Sequence, residues 1–267
     1  MERRRFLTSS LAASTLALQG VRRLSANQGS SPNGREYYQL RKYHLESGPQ
    51  LKLTNAYLEH ALIPALNRLG ISPVGVFNLD LGPETPMIYV LLPSTSLESL
   101  VAVDLHLAHD EEFLKGAAAF WAAPAKDPAF VRVESSLMIA FEGRPKLTVP
   151  PVSSQKGKRV FQLRTYESPS NADHLRKVEM FHDGEFDIFQ RAGFWQVFYG
   201  DTLIGPRLPN LTYMLSFPSV AEMDSKWDAF RSDPQWKKLS ASPKYSYESI
   251  VTNITNLILS PASYSQI

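Results

Sequence analysis

The amino-acid sequence predicts an α+β protein made of two tandem units, each with the element order βαββαβ. The segment YQLRKY at 38–43 recurs as FQLRTY at 161–166, displaced by 123 residues. In each copy apolar residues first alternate, then recur with helical spacing, and then alternate again, which is typical of strands around a helix. Between the copies, 144–158 is rich in proline, serine and lysine, as linkers are. We therefore expect two domains, at 36–143 and 159–267.

The elements of the first unit follow from these periodicities. Residues 36–43 alternate as a strand does. Leu58, Leu62 and Leu66 share one helical face, and Gly70 ends that helix because glycine tolerates positive φ. Two strands joined by a Gly/Pro turn, a second helical region and a final strand complete the unit, at 73–80, 87–92, 97–123 and 131–141.

The second unit repeats this order, and its first helix ends at Gly193. Its strands are expected at 159–166, 194–199, 211–217 and 246–254, with the second helical region at 220–239. The order βαββαβ is ferredoxin-like, with helices on one face of a four-stranded antiparallel sheet. The open face of each sheet must be covered, so the two sheets are expected to pack together within one chain, or onto a second copy of it.

The composition excludes several classes of protein. The chain has 267 residues, with 28 basic and 26 acidic side chains and no cysteine, which rules out disulfides, thiolate metal sites and a cysteine nucleophile. Six arginines stand against one glutamate in 1–35, which leaves 22 basic and 25 acidic residues in 36–267. A slightly acidic body does not attract phosphates, so no nucleic-acid partner is expected.

The N-terminal segment 1–35 has the features of an export signal followed by a linker. Four of its residues resemble the twin-arginine pattern: Arg3, Arg4, Phe6 and Leu7. The apolar stretch 7–18 is too short to span a bilayer, which takes about 20 residues. We therefore expect export to the periplasm without an integral membrane segment. A retained, arginine-rich N-terminus is the alternative.

Several motifs that recur in order in both units resemble the NIPSNAP family, in its bacterial two-repeat form. They are the strand Gln-Leu-Arg-x-Tyr, the Arg-x-Gly helix ends at 68–70 and 191–193, the Asp-Pro pairs at 127–128 and 233–234, and the terminal run LILSP at 257–261. The resemblance covers 36–261. It implies the dimeric α/β-barrel superfamily, in which two ferredoxin-like units pack their sheets together. The family has no agreed enzymatic activity, so the resemblance implies a fold but no reaction.

Alternation along the first strand of each unit places polar side chains on one shared face. The residues on these faces are Gln39, Arg41, Tyr43, Gln162, Arg164 and Tyr166. With Leu40 and Leu163 assigned to the helix-covered face, the polar residues are expected to line the space that the barrel encloses. Apolar walls with a few converging polar groups are typical of small-molecule sites, so we expect these six residues to contact a ligand.

The two arginines also have a structural interpretation. A buried guanidinium needs an anionic partner, and a glutamate is expected on the last strand of each unit, beside the first strand. We expect Arg41 to pair with Glu134, and Arg164 with Glu248, because the planar guanidinium can meet a carboxylate with two hydrogen bonds. The sequence alone leaves both roles open.

The sequence leaves two functions open as well. One is a small-molecule-binding or structural module, and the other is a cofactor-free enzyme, similar to the monooxygenases and isomerases of the α/β-barrel superfamily. No cofactor or metal is predicted, since His106 and His109 stand three apart without a third ligand fixed by spacing. Phosphate-binding glycine loops, a Gly-x-Ser-x-Gly elbow and a His-Glu-x-x-His motif do not occur.

Overall fold

A computed structural model describes residues 34–46, 48–82, 84–154 and 157–267, with the backbone alone described for Tyr247. The strands in these ranges are β1 (Tyr37–His44), β2 (Gly75–Leu79), β3 (Met87–Ser94), β4 (Arg132–Ala140), β5 (Val160–Glu167), β6 (Trp195–Ile204), β7 (Asn210–Phe217) and β8 (Asn253–Pro261). The α-helices are α1 (Gly48–Tyr57), α2 (Ile63–Arg68), α3 (Leu97–Val101), α4 (Val103–Leu107), α5 (Glu111–Trp121), α6 (Asn171–Met180), α7 (Phe186–Arg191), α8 (Val220–Ser232), α9 (Pro234–Ser240) and α10 (Tyr247–Ile250).

The strands close into one barrel in the order β1-β3-β2-β8-β5-β7-β6-β4. The first sheet, β4-β1-β3-β2, and the second sheet, β8-β5-β7-β6, each have the ferredoxin-like order, and every neighbouring pair is antiparallel. Pairing of β2 with β8 and of β4 with β6 joins the two sheets. The α+β fold of two ferredoxin-like units is confirmed, and one chain supplies both sheets.

The interior of the barrel is filled with apolar side chains. Leu40 of β1 and Leu163 of β5 point inside and are buried there. A Cβ added to Gly200 of β6 would lie 2.9 Å from Met138 Cβ, so even a methyl group lacks room at that point. This agrees with the general rule that an eight-stranded barrel is just wide enough for side chains to fill it. The expectation that Leu40 and Leu163 lie under the helices is wrong.

The first helices of the two units match element for element at the displacement of 123. In each unit an α-helix runs into a five-residue π turn, Leu58–Leu62 or Phe181–Glu185, and then into a second short helix. The turn of the second unit is kinked at Gly184, whose φ of 159° and ψ of −20° are not helical. Gly70 and Gly193 end these helices with φ of 76° and 78°, a conformation that glycine adopts without a steric penalty. The π turn of the first unit precedes Pro64, whereas the second unit forms it without a proline, so proline is not its cause.

The last strand of the second unit lies further along the chain than expected. The sequence predicts it at 246–254, but 243–245 form a 3₁₀ turn, α10 follows, and β8 begins at Asn253. The terminal apolar run LILSP is part of this strand. In the first unit, the helical region predicted at 97–123 is divided into α3, α4 and α5.

The residues of the predicted export signal, Arg3, Arg4, Phe6 and Leu7, lie outside the described part of the chain. Within the described part, no helix has both the length and the apolar composition needed to cross a membrane.

Candidate functional site

A cavity of about 450 Å³ lies between the second sheet and the helices that cover it. Residues of β5 and β8 line one side of it, and residues of α8 and α9 line the other. Gln162, Arg164 and Tyr166 of β5 all line the cavity, so the structure brings these three predicted residues together. They do so on the helix-covered face of the sheet and not inside the barrel, which corrects their predicted location.

Aromatic rings form the wall of the cavity opposite the strand. Trp227, Phe230 and Trp236 line it, and the rings of Phe230 and Trp236 lie with centroids 4.6 Å apart. The indole of Trp227 is fixed at its polar edge, because Nε1 donates a hydrogen bond to Oε1 of Gln162 at 2.8 Å. Cζ of Arg164 lies 4.6 Å from the centroid of the Trp227 ring, a distance at which a guanidinium and an aromatic face attract each other.

A buried ion pair borders this cavity. Nζ of Lys177 donates to Oε2 of Glu185 at 2.6 Å, and Lys177 is 0% and Glu185 2% exposed. Glu185 also lines the cavity. Burial lowers the pKa of the Lys177 amine, and the neighbouring Glu185 carboxylate opposes this effect. Beside the pair, the hydroxyls of Tyr166 and Tyr213 share a hydrogen bond of 2.9 Å, and burial raises the pKa of both.

Sequence reasoning missed three residues of this site, namely Lys177, Glu185 and Trp227. Each sits at a helical position where an amphipathic pattern alone gives no reason to single it out. The signal that could find them is the difference between the two copies. At a displacement of 123, the first copy has these residues instead: Thr54, Leu62 and Asp104.

In the first unit, hydrogen bonds join Arg41 to Gln39 and Asp104. Gln39, Arg41 and Tyr43 lie on the helix-covered face of the first sheet, as Tyr43 packs in the core beneath α1 and α2. Nη1 of Arg41 donates to Oδ1 of Asp104 at 3.0 Å, and Nε donates to Oε1 of Gln39 at 3.0 Å. The expectation that this triplet lines the barrel interior is wrong. Arg41 pairs with an acid from α4, while its buried Nη2 has no hydrogen-bond partner among the described residues.

The predicted pair of Arg41 with Glu134 is wrong for a reason of register. Glu134 of β4 stands opposite Lys42 of β1, so it lies on the other face of the sheet from Arg41. Its Oε1 lies 3.2 Å from Nε2 of His44 and accepts a hydrogen bond from Nε of Arg132 at 3.1 Å.

The predicted pairing of Arg164 with Glu248 across neighbouring strands is also wrong. Glu248 lies in α10, ahead of β8, and its side chain is exposed. Opposite Arg164 stand Asn256 on β8 and Tyr213 on β7.

The described residues contain no group of three or more histidines or acids that could hold a metal ion. His106 and His109 lie at the end of α4, where both side chains are exposed.

Solved structures share the whole architecture at low sequence identity. A proposed monooxygenase from Lactobacillus acidophilus has a TM-score of 0.54 at 10% identity, with 85% of this chain and 94% of that one covered. A proposed monooxygenase from Fusobacterium nucleatum has a TM-score of 0.52 at 8% identity, covering 85% of this chain and 92% of its own. At these identities the likeness shows the fold. No curated protein matches the chain.

The family comparison concerns the half of the chain that contains the cavity. The family model of NIPSNAP matches residues 161–266. A NIPSNAP family protein of unknown function from Agrobacterium tumefaciens matches 39% of this chain and 89% of its own, at 20% identity and a TM-score of 0.35. The resemblance drawn from the sequence motifs is confirmed for this half. Residues 161–266 therefore match the NIPSNAP family model, and they close a barrel with a first unit of the same βαββαβ order.

Proposed function

We propose that this chain binds a small aromatic carboxylic acid in the cavity between the second sheet and its helices. One observation carries the proposal: Arg164 and three aromatic rings, Trp227, Phe230 and Trp236, line a single space of about 450 Å³. Ligand pockets are typically about 300 to 1,000 Å³, with mostly apolar walls and a few polar groups that fix orientation. The cavity lies within this range of volume, and aromatic rings line it together with several polar and charged side chains.

The side chains support an acid with a flat apolar body. A guanidinium matches a carboxylate through two parallel hydrogen bonds, and Cζ of Arg164 lies 4.6 Å from the centroid of the Trp227 ring. Tryptophan and phenylalanine walls suit an aromatic ring, which packs offset or edge-on against them. Asp224 and Arg231 also line the cavity, and both are exposed at its rim, where water screens their opposite charges.

Titration calorimetry with benzoate tests the proposal. Binding should weaken at least tenfold in Arg164→Gln, because a hydrogen bond to a charged group contributes about 1.5 to 3 kcal/mol and about 1.4 kcal/mol is a factor of ten. Trp236→Ala should also weaken binding, since it removes part of the aromatic wall. Arg176→Gln is the matched control, as Arg176 is an exposed arginine of the same unit on α6. Absence of benzoate binding, or equal losses in the variants and the control, would contradict the proposal.

A second candidate is a cofactor-free enzyme that oxidises the bound acid. The two proposed monooxygenases that share the fold over 85% of this chain support it. An oxygen electrode distinguishes the candidates, because such an enzyme consumes dioxygen when its ligand is added and a binding module does not. Uptake that disappears in Arg164→Gln would place the reaction in the cavity, and no uptake with any bound acid would favour the binding module.

Export to the periplasm is the proposal for location. The twin arginine and the short apolar stretch of 1–35 support it. Fused to a reporter that works only after transport in the folded state, 1–35 should deliver the reporter. Replacing Arg3 and Arg4 by lysine should block delivery, and unimpaired delivery would refute the proposal.

A further inference from the structure

We propose that Glu185 is a recognition residue of the cavity, and that the ligand is an aromatic acid that also carries a hydroxyl or amino group. That group donates a hydrogen bond to Oε1 of Glu185. The inference rests on the proposed function, because it names the class of acid that the same cavity selects.

The first argument is an oxygen atom without a donor. Oε2 of Glu185 accepts from Nζ of Lys177 at 2.6 Å, and no hydrogen bond to Oε1 is formed by the described residues. Glu185 is 2% exposed and lines the cavity. Oε1 is not one of the fully buried polar atoms that lack a partner, so water or a ligand can reach it. The cavity is therefore the place from which a donor reaches Oε1.

The second argument is that the fold does not require the ion pair. At the positions of Lys177 and Glu185, the first unit has Thr54 and Leu62, and it forms a helix and a turn of the same lengths, without the kink at Gly184. Burying two charges is costly, and apolar residues of similar volume often serve stability as well or better. The pair thus has a role in the second unit that the first unit lacks, and Glu185 of this pair lines the cavity of the second unit.

The third argument concerns geometry and charge. Lys177 is fully buried, with Nζ 4.5 Å from the centroid of the Phe181 ring, so its ammonium is held in one place. Its bond to Oε2 holds one oxygen of the carboxylate and leaves Oε1 as the acceptor for a ligand. Lys177 is thus a positioning residue. Arg164 lies near the pair, because Cζ of Arg164 and Nζ of Lys177 each lie 5.3 Å from the centroid of the Tyr166 ring. The cavity accordingly offers a cation for a carboxylate and an acceptor for a donor.

The test compares ligands that differ only in the donor. The probes are benzoate, the three isomeric hydroxybenzoates and their methyl ethers, measured by titration calorimetry on the intact chain. We expect the best hydroxybenzoate to bind about tenfold more tightly than both benzoate and its own methyl ether, since a hydrogen bond to a charged acceptor contributes enough for that factor. This comparison needs no mutation, so it does not depend on a variant that folds.

Glu185→Gln then assigns the preference to the residue. The amide oxygen of glutamine faces Lys177, and its NH₂ group faces the cavity as a donor. The preference for the hydroxybenzoate over its methyl ether should fall below twofold, and the change in relative affinity should favour the methyl ether. Glu222→Gln is the matched control, because Glu222 is an exposed acid on α8 outside the cavity lining, and it should keep the tenfold preference.

The outcomes separate this inference from the proposed function. If benzoate, hydroxybenzoates and ethers bind equally well, the cavity binds acids but Glu185 does not select a donor, and the inference is overturned alone. A preference that survives in Glu185→Gln overturns it in the same way. If no probe binds, the proposed function fails and the inference fails with it.

Discussion

The two units of the barrel carry the same arginine on their first strands but place different groups over it. Asp104 follows Arg41 by 63 residues, and Trp227 follows Arg164 by the same number. In the first unit the result is an ion pair of 3.0 Å, and in the second it is an arginine packed against an indole. The same position of the repeat therefore holds an arginine in two settings, one paired with an acid and one lining a cavity.

The first helices of the two units also differ, but here the second unit has the ion pair and the first unit does not. The first unit has Thr54 and Leu62 where the second buries Lys177 and Glu185. The first unit therefore keeps its ion pair at the half-exposed Asp104, whereas the second moves charge into the core beside its cavity. What differs between two copies of one fold points to function more directly than what they share, because the shared residues are those that form the fold.

The largest effect is expected from breaking the buried pair. Lys177→Met leaves the Glu185 carboxylate buried without its cation, which should lower the free energy of unfolding by about 3 to 5 kcal/mol. Urea unfolding of the variant against the parent chain measures the loss. The double variant with Glu185→Met should lose less than Lys177→Met, because the stranded charge is removed with its partner.

The matched control is Thr54→Val at the equivalent position of the first unit. Thr54 makes one long hydrogen bond, 3.4 Å from Oγ1 to the carbonyl of Ala129. Its removal should cost about 1 kcal/mol. Equal losses in Lys177→Met and Thr54→Val would show that the two helices do not differ in the proposed way.

The fold could be predicted from the sequence because its signals are local and occur twice. The strand period, the helical spacing and the glycines that end the helices are set by nearby residues, and the repeat at 38–43 and 161–166 fixes the units. The face of each sheet could not be predicted. Aromatic residues occupy both sides of β1, with Tyr38 inside the barrel and Tyr43 under the helices, so alternation shows which residues share a face but not what covers it.

The candidate site was predictable only in part. Three residues of β5 line the cavity, since strand alternation correctly groups Gln162, Arg164 and Tyr166. Glu248 was misplaced because a Glu-Ser pair recurs near the end of both units, while the strand itself starts at Asn253. Trp227 approaches the arginine from a distant helix, and such a contact depends on helix packing that no local pattern specifies.

The second prediction gives the arginine of the second unit the kind of partner that the arginine of the first unit has. Trp227→Asp places a carboxylate over Arg164, as Asp104 is placed over Arg41. The new acid should compete for the guanidinium, and one aromatic wall is lost, so benzoate should bind at least tenfold more weakly. Calorimetry measures the change, and Trp121→Asp at a half-exposed tryptophan of the first unit is the control. Undiminished binding in Trp227→Asp would refute the comparison.

The smallest effect is expected from Asp104→Asn. The asparagine oxygen still accepts from Arg41, so the variant removes charge while leaving the hydrogen bond. The Asp104 side chain is 58% exposed, and water screens such a pair, so the loss in unfolding free energy should be about 1 kcal/mol. Added salt should narrow the difference between variant and parent in urea unfolding, because it screens the exposed partner.

The affinity for benzoate shows whether the two arginines differ in role. If the ion pair of Arg41 serves structure alone, Asp104→Asn should leave the affinity for benzoate unchanged while it lowers stability. Arg164→Gln should show the opposite pattern, because the free energy of benzoate binding should fall by more than the free energy of unfolding. A shift of benzoate affinity in Asp104→Asn comparable to that in Arg164→Gln would mean that both arginines act on the ligand, and that the two units are functionally alike.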